Sequence, residues 1–244
     1  MRASDSILVA LDVDDLTSAD WLIRSTADYT GGCKVGKQLM YSEGPSEVVR
    51  FVRERGGKVF MDGKEHDIPE TVAKTLRVAT RMRPLMFNVH ALGGFEMMRA
   101  ARLAVDEEAA KQPTVPKPLL IAVTILTSQD MPSLVQIGMD PSSGMIHKVT
   151  ELAMLAKQAG LDGVVCSPQE IMPVRLECGD DFVIVSAGIR AKNAKPDDQK
   201  RTATAAEAIE MGATYLVIGR PITKAADPGL AARMIADEVD AVRV

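Results

Sequence analysis

With 244 residues, 46% hydrophobic and 25% charged, the chain has the composition of a soluble globular protein large enough to bury roughly 70–75% of its unfolded surface. Its formal net charge of -4 argues against a general nucleic-acid binder, so any anionic ligand needs a local cluster of positive groups. The three cysteines, Cys33, Cys166 and Cys178, are odd in number and far apart, which speaks against a disulfide framework and a CxxC metal knuckle and suits a reducing cytoplasm. No charged n-region followed by a long apolar run opens the chain, and no apolar run approaches the ~20 residues of a membrane span.

The rest reads as strand, then helix, repeated. Ile7–Leu11 is a continuous apolar run ending at Asp12, the pattern of a strand buried on both faces. Helical spacing over residues 15–29 stops at Gly31-Gly32. Residues 33–36 form a short second strand, and a second helix runs over 45–55 to Gly56-Gly57. The third strand is 58–62 and the third helix 68–80; the fourth strand is 85–90, followed by a helix from Gly93-Gly94 to about Glu108. Beyond Pro113, Pro116 and Pro118, residues 119–126 are the fifth strand. Residues 127–144 are a long polar loop, a feature that is uncommon and often functional. A helix over 145–159 and a sixth strand over 162–166 follow, then a helix from Pro168 and a seventh strand over 182–186. A second polar loop runs from Ala187 to about Thr202, a helix covers 203–211, the eighth strand is 214–218, and the last helices begin at Pro221. Eight repeats of about 30 residues each predict a (β/α)8 TIM barrel, a single α/β domain over residues 1–244. The alternative, an open doubly wound sheet, lacks a G-x-G-x-x-G after its first strand.

In such a barrel, chemistry sits where strands end and loops begin. Those ends carry Asp12, Lys34, Asp62 with Lys64, His90, Thr127, Gly188 and Gly219-Arg220. The densest stretch is 58–71, K-V-F-M-D-G-K-E-H-D-I-P-E-T. Strand alternation points Asp62 and Lys64 the same way and Asp67 follows the turn, so one ammonium is flanked by two carboxylates. Burying either charge alone costs several kcal/mol, so Asp62 and Lys64 pair or face a wet mouth. By spacing alone, Asp67, three residues before Glu70, reads as a helix N-cap. Taken singly, Asp12 reads as a turn cap and Lys34 as a snorkelling surface lysine. His66 reads as a turn histidine, and His90 either as a wall of the site or as a satisfied core residue.

Residues 31–37, G-G-C-K-V-G-K, match G-x-x-x-x-G-K, but Gln38 stands where a P-loop needs Ser or Thr, and the glycines straddle a strand. Nucleoside triphosphatase activity is rejected on those grounds. No H-E-x-x-H, Cys/His cluster or G-x-S-x-G supports metal hydrolysis or a Ser triad. Ile218-Gly219-Arg220-Pro221 suits phosphate: the glycine admits a ligand to the backbone, Arg220 offers a bidentate fork, and Pro221 opens a helix. Barrels often hold phosphate after strands seven and eight, so Gly188, Arg190 and Gln199 of the seventh loop join that candidate site. A plain tight turn with a surface arginine is the alternative.

The D-x-K-x-x-D-I-P run of Asp62-Gly63-Lys64-Glu65-His66-Asp67-Ile68-Pro69 has company in a fixed order. Leu11-Asp12, Lys34-Val35-Gly36, His90-Ala91-Leu92-Gly93-Gly94 and Val123-Thr124-Ile125-Leu126-Thr127-Ser128 come first. Cys166-Ser167-Pro168, Gly188-Ile189-Arg190, Asp198-Gln199-Lys200-Arg201 and Ile218-Gly219-Arg220-Pro221-Ile222-Thr223 complete the set. Together they resemble the orotidine 5′-phosphate decarboxylase family over essentially the whole chain. The resemblance implies a carboxy-lyase that turns orotidine 5′-phosphate into uridine 5′-phosphate and CO2, the last step of de novo pyrimidine nucleotide biosynthesis, with neither metal nor organic cofactor. It implies that Lys64 delivers a proton to C6 of the pyrimidine and that Asp62 stands beside the departing carboxylate. Asp67 and Thr71 match residues that reach into a partner subunit's site, which implies a homodimer with shared active sites, and Ile68 is counted with the substrate contacts. Asp12 and Lys34 match ribose contacts and Thr127 a pyrimidine contact. Arg190, Gln199, Gly219 and Arg220 match the phosphate grip, with the seventh loop closing as a lid.

Gly63 and Glu65 depart from the family pattern, where one of the two positions usually holds a bulky apolar residue, and alternation turns Glu65 away from the pocket. Glu70 stands where Asn is commoner, and Ser186-Ala187 where Thr-Pro is. Two other readings compete. Sugar-phosphate barrels such as hexulose phosphate synthase share D-x-K-x-x-D but use Mg2+, and Ile68-Pro69 and Asp198-Gln199 argue against them. A non-catalytic nucleotide-binding barrel would not be expected to keep Asp62, Lys64 and Asp67.

Overall fold

The apolar alternation of the strands sorts their side chains into two layers. In the computed structural model, which describes residues 4–190 and 201–242, eight parallel strands close into a barrel in sequence order. They are β1 (Ile7–Leu11), β2 (Gly32–Gly36), β3 (Lys58–Glu65), β4 (Met86–His90), β5 (Leu119–Val123), β6 (Gly163–Cys166), β7 (Val183–Ser186) and β8 (Tyr215–Ile218). β1 pairs with β8, Leu8 opposite Val217, which leaves no free edge. The helices are α1 (Leu16–Thr26), α2 (Lys37–Glu43), α3 (Pro45–Glu54), α4 (Pro69–Arg81), α5 (Gly94–Ala110) and α6 (Met131–Gln136). After them come α7 (Gly144–Gln158), α8 (Ile171–Cys178), α9 (Ala205–Glu210), α10 (Arg220–Thr223) and α11 (Pro228–Asp240). None of the described helices is long and apolar enough to cross a membrane.

One layer is a plug inside the barrel, built from Leu8, Phe60, Met86, Ile121, Val185 and Tyr215. The other lies between strands and helices, where Val9, Val35, Met61 and Phe87 pack with Leu22, Val49, Val72 and Met98. Each fully buried side chain of this size contributes roughly 1.5–3 kcal/mol. The plug decides where chemistry is possible. It fills the lower barrel, so inward positions two and four residues further on emerge at the C-terminal mouth. Phe60 is followed inward by Asp62 and Lys64, and Met86 by Asn88 and His90.

The expected barrel is present, with local differences. β3 runs on to Glu65 rather than stopping at Asp62, because its register against β4 shifts between Met61 and Glu65. β5 ends at Val123, and the hydroxyl of the next residue, Thr124, donates to the Val165 carbonyl at 2.9 Å. The polar stretch 127–144 holds a short helix, α6, capped where Asp130 accepts the Ser133 N–H at 3.1 Å. Residues 37–43, given no element by the sequence pattern, form α2, which buries only Leu39 and so has too short an apolar stripe to announce itself.

Candidate active site

Four charged side chains meet at the mouth between β1, β2 and β3. Lys34, 7% exposed, stands at the middle of β2, and its Nζ lies 2.6 Å from Asp12 Oδ1 and 3.9 Å from Asp62 Oδ2. Lys64 Nζ lies 2.6 Å from Asp62 Oδ1. The order along the mouth is Asp12, Lys34, Asp62, Lys64, alternating in sign. Lys34 is therefore no surface lysine, and Asp12 holds an ammonium rather than a turn. A Cβ on Gly36 would come within 3.2 Å of both Asp12 Oδ1 and Lys34 Nζ, so the absence of a side chain there makes room for their pair.

Asn88 completes the cluster and is absent from the sequence-based candidates. It is 1% exposed. Its Nδ2 donates to Asp62 Oδ1 at 2.7 Å, and its Oδ1 accepts the Lys64 N–H at 2.7 Å. The signal for it was a lone amide in an apolar strand, at the same inward parity as Met86. Burial pushes the Asp62 carboxyl up, but the Lys64 and Lys34 charges, with hydrogen bonds from Lys64 and Asn88, outweigh it and hold the group below its ordinary value. Lys64 itself has φ of +53°, an uncommon conformation for a residue with a side chain. Strict strand alternation does not extend through this position, yet its ammonium still returns to Asp62.

Asp67 is not part of this cluster, contrary to the expectation of one ammonium between two carboxylates of the same stretch. It is exposed, makes no ion pair among the described residues, and accepts the Ile68 N–H at 2.6 Å. It is not the N-cap of α4 either. Pro69 takes the first helical position, which makes Ile68 the cap residue, and Glu70 pairs with Lys74 at 2.7 Å instead of closing a capping box. Ile68 and Thr71 are exposed on the same helix start.

Glu65, like Lys64, lines a cleft of about 590 Å³ bordered by α2, α3 and α4, with Lys37, Tyr41, Met61 and His66 also on its walls. Burial pushes its carboxyl up while Lys37 opposes the shift. A Cβ at Gly63 would meet the Glu65 carboxylate, the mobile end of a flexible side chain. His66 and His90 stack with ring centroids 5.5 Å apart, and His90 Nδ1 accepts the Leu92 N–H at 3.4 Å. Burial first, then His66, Lys64 and Lys37, lower the His90 pKa to about 4, which keeps the ring neutral.

The other described candidates follow the C-terminal ends of β5, β7 and β8. Thr127 is half-buried in the loop after β5. Arg190 follows β7, and its Nη1 donates to the Ile189 carbonyl at 2.7 Å. Gly219 follows β8, and among the described residues a Cβ there would meet only Ala10, at 3.6 Å. Arg220 and Pro221 open α10, a helix of four residues. Gln199 and the expected lid lie outside the described residues. Among the described residues, no three His, Cys, Asp or Glu side chains converge as a metal site would require.

Chemically, the mouth offers a proton-bearing ammonium held against a half-buried, ionised carboxylate. That pair can stabilise negative charge developing on a nearby atom and then protonate it.

Comparison with known proteins agrees with this geometry. The chain is 49% identical over its whole length to orotidine 5′-phosphate decarboxylase from Moorella thermoacetica, covering 95% of that protein. It is 48% identical to the enzyme of that name from Trichlorobacter lovleyi, over 98% of this chain and 96% of the relative. The crystal structure of orotidine 5′-phosphate decarboxylase from Lactobacillus acidophilus matches with a TM-score of 0.83 and 34% identity, over 96% of this chain and 98% of that one. An uncharacterized conserved protein from Geobacillus kaustophilus matches with a TM-score of 0.80 and 35% identity, over 96% of this chain and 99% of its own. The model of the orotidine 5′-phosphate decarboxylase / HUMPS family matches residues 5–235, and the chain belongs to that family.

Proposed function

We infer that the chain is a carboxy-lyase that converts orotidine 5′-phosphate into uridine 5′-phosphate and CO2, in pyrimidine nucleotide biosynthesis. The observation that carries this reading is the Lys64–Asp62 pair at 2.6 Å in the mouth of a barrel whose relatives bear that enzyme's name. As the bond between C6 and the carboxylate breaks, its electron pair stays on C6. Lys64 lies where its charge stabilises that carbon and its Nζ proton then closes the valence, without metal or organic cofactor. Asp62 orients Lys64 and stands beside the departing carboxylate. Asp12 and Lys34 hold the ribose, Thr127 the pyrimidine, and Arg190, Gln199, Gly219 and Arg220 the phosphate. Phosphate binding far from C6 contributes energy that is realised at the reacting carbon.

The same reading makes the enzyme a homodimer in which Asp67, Ile68 and Thr71 of one subunit complete the other's site. Its support is exposure: Asp67 and Thr71 face outward, and Tyr41, Ile68 and Val78 are 86%, 65% and 50% exposed on α2 and at α4. The barrel supports a single catalytic domain over residues 1–244, and three free, buried thiols suit the cytoplasm.

The test is incubation with orotidine 5′-phosphate, with and without a chelator, following loss of its ultraviolet absorbance. Chelator-resistant turnover is expected. No turnover would sink the assignment, and chelator-sensitive action on a sugar phosphate would transfer it to the Mg2+-dependent relatives. Replacing Lys64 by Ala is expected to abolish turnover, and near-normal activity in that variant would remove Lys64 as proton donor.

A further inference from the structure

A buried ion pair ties together the loops that carry the two ends of the proposed substrate site. Glu170 closes a 3-10 turn, Pro168–Glu170, just after β6, and is 1% exposed. Its Oε2 accepts the Ser167 N–H at 3.0 Å and the Ser167 hydroxyl, and its Oε1 accepts Arg201 Nη1. Arg201 is 7% exposed and sends Nη2 to the Leu126 carbonyl at 3.1 Å. Leu126 immediately precedes Thr127. Arg201 also stands two residues before Ala203, which bridges Ile189 and accepts the Arg190 N–H at 2.9 Å. One guanidinium therefore links the base of the loop after β7 to the loop after β5, with the β6 loop as the fixed point between them.

We propose that Arg201 and Glu170 are positioning residues that set the separation between the phosphate-facing Arg190 and the pyrimidine-facing Thr127. The proposal rests on the site assignment made above. Stability alone does not account for such a pair, because apolar residues of similar volume often stabilise as well or better. What the pair adds is geometry. A planar guanidinium reaches two acceptors in fixed directions, which a lysine head does not. Holding both loops at one spacing lets phosphate binding align the pyrimidine over Lys64 instead of merely adding affinity.

The test compares kcat/KM for orotidine 5′-phosphate with kcat/KM for orotidine, the same nucleoside without phosphate, in wild type, Arg201→Lys and Glu170→Gln. In the variants the ratio of the two is expected to fall by about tenfold or more, the scale of a lost charge-assisted hydrogen bond. Circular dichroism and thermal unfolding establish that each variant is folded. Arg201→Lys keeps both charges, so it carries the test if Glu170→Gln does not fold. An unchanged ratio, or a parallel fall for both substrates, overturns the proposal and leaves the pair a scaffold. A wild-type ratio near one overturns the phosphate assignment and this proposal with it. A phosphate-dependent wild type with unaltered variants overturns the proposal alone.

Discussion

The side-chain oxygen of Asn88 accepts the backbone N–H of Lys64 at 2.7 Å, while its amide nitrogen donates to Asp62 at the same distance. One buried amide thus fixes both the acid and the backbone that presents the ammonium. The left-handed backbone of Lys64 costs roughly 1–2 kcal/mol for a residue with a Cβ, and the Asn88 bond offsets it. In Asn88→Ala, Asp62 loses a hydrogen bond and Lys64 its backbone anchor. Turnover is expected to drop by about 10–100-fold, equivalent to roughly 1.5–3 kcal/mol, with a smaller change in KM because no phosphate contact is touched. Steady-state kinetics on the purified variant check this. A wild-type kcat would mean that Lys64 needs no help from β4.

Arg220→Ala addresses the proposed phosphate end of the substrate. The residue sits at the first position of a four-residue helix, too short for a strong dipole, so its own guanidinium must supply the charge for an anion there. Its removal is expected to raise KM by about tenfold or more and to change kcat less. An unchanged KM would remove Arg220 from the phosphate site.

Two shifted groups at the mouth contribute to the pH dependence of stability. The folded-state pKa of His90 is about 4, below its ordinary 6.5, so the unfolded chain takes up the proton first as pH falls. The His90 contribution to stability is therefore steady above pH 6.5 and is lost progressively toward pH 4. Asp62 behaves oppositely in origin: its folded pKa lies below 3.8, so its contribution is intact above that value and fades only as pH falls through the lowered one. Denaturant unfolding of wild type and His90→Gln between pH 4 and 7 separates the two. The variant is expected to lose part of the slope over that range, and an identical slope would show that His90 does not stay neutral.

The barrel is legible because short continuous apolar runs, spaced by helical patterns, leave few topologies for a chain of this size. Asp62 and Lys64 stood out as charges that an apolar strand would not otherwise tolerate. Asn88 escaped because a single amide in a strand carries no charge to explain, and its role depends on β4 lying next to β3. Taken singly, Lys34 reads as a surface lysine, because only three dimensions reveal how the Asp12 carboxylate reaches its buried ammonium. The Glu170–Arg201 pair joins residues 31 positions apart, beyond any local pattern. Asp67 was misread for a local reason: Pro69 moves the helix cap to Ile68, and the spacing to Glu70 then signifies nothing.

That exposed carboxylate leads to the last expectation. Within its own chain Asp67 accepts one backbone N–H and reaches no lysine of the mouth. A role in turnover then has to be exercised in another subunit. Lys64→Ala and Asp67→Ala chains are each expected to be inactive alone. When mixed under conditions that exchange subunits, a heterodimer has one site that combines an intact Lys64 with an intact Asp67 from the partner, and one site that lacks both. With equal chains and random pairing, half of the dimers are mixed and each has one working site, so about one quarter of wild-type activity should return. Activity is to be measured alongside the fraction of heterodimer, resolved by a tag on one chain. Heterodimers without activity would place Asp67 outside the partner's site, and a fully active Asp67→Ala homodimer would remove it from turnover altogether.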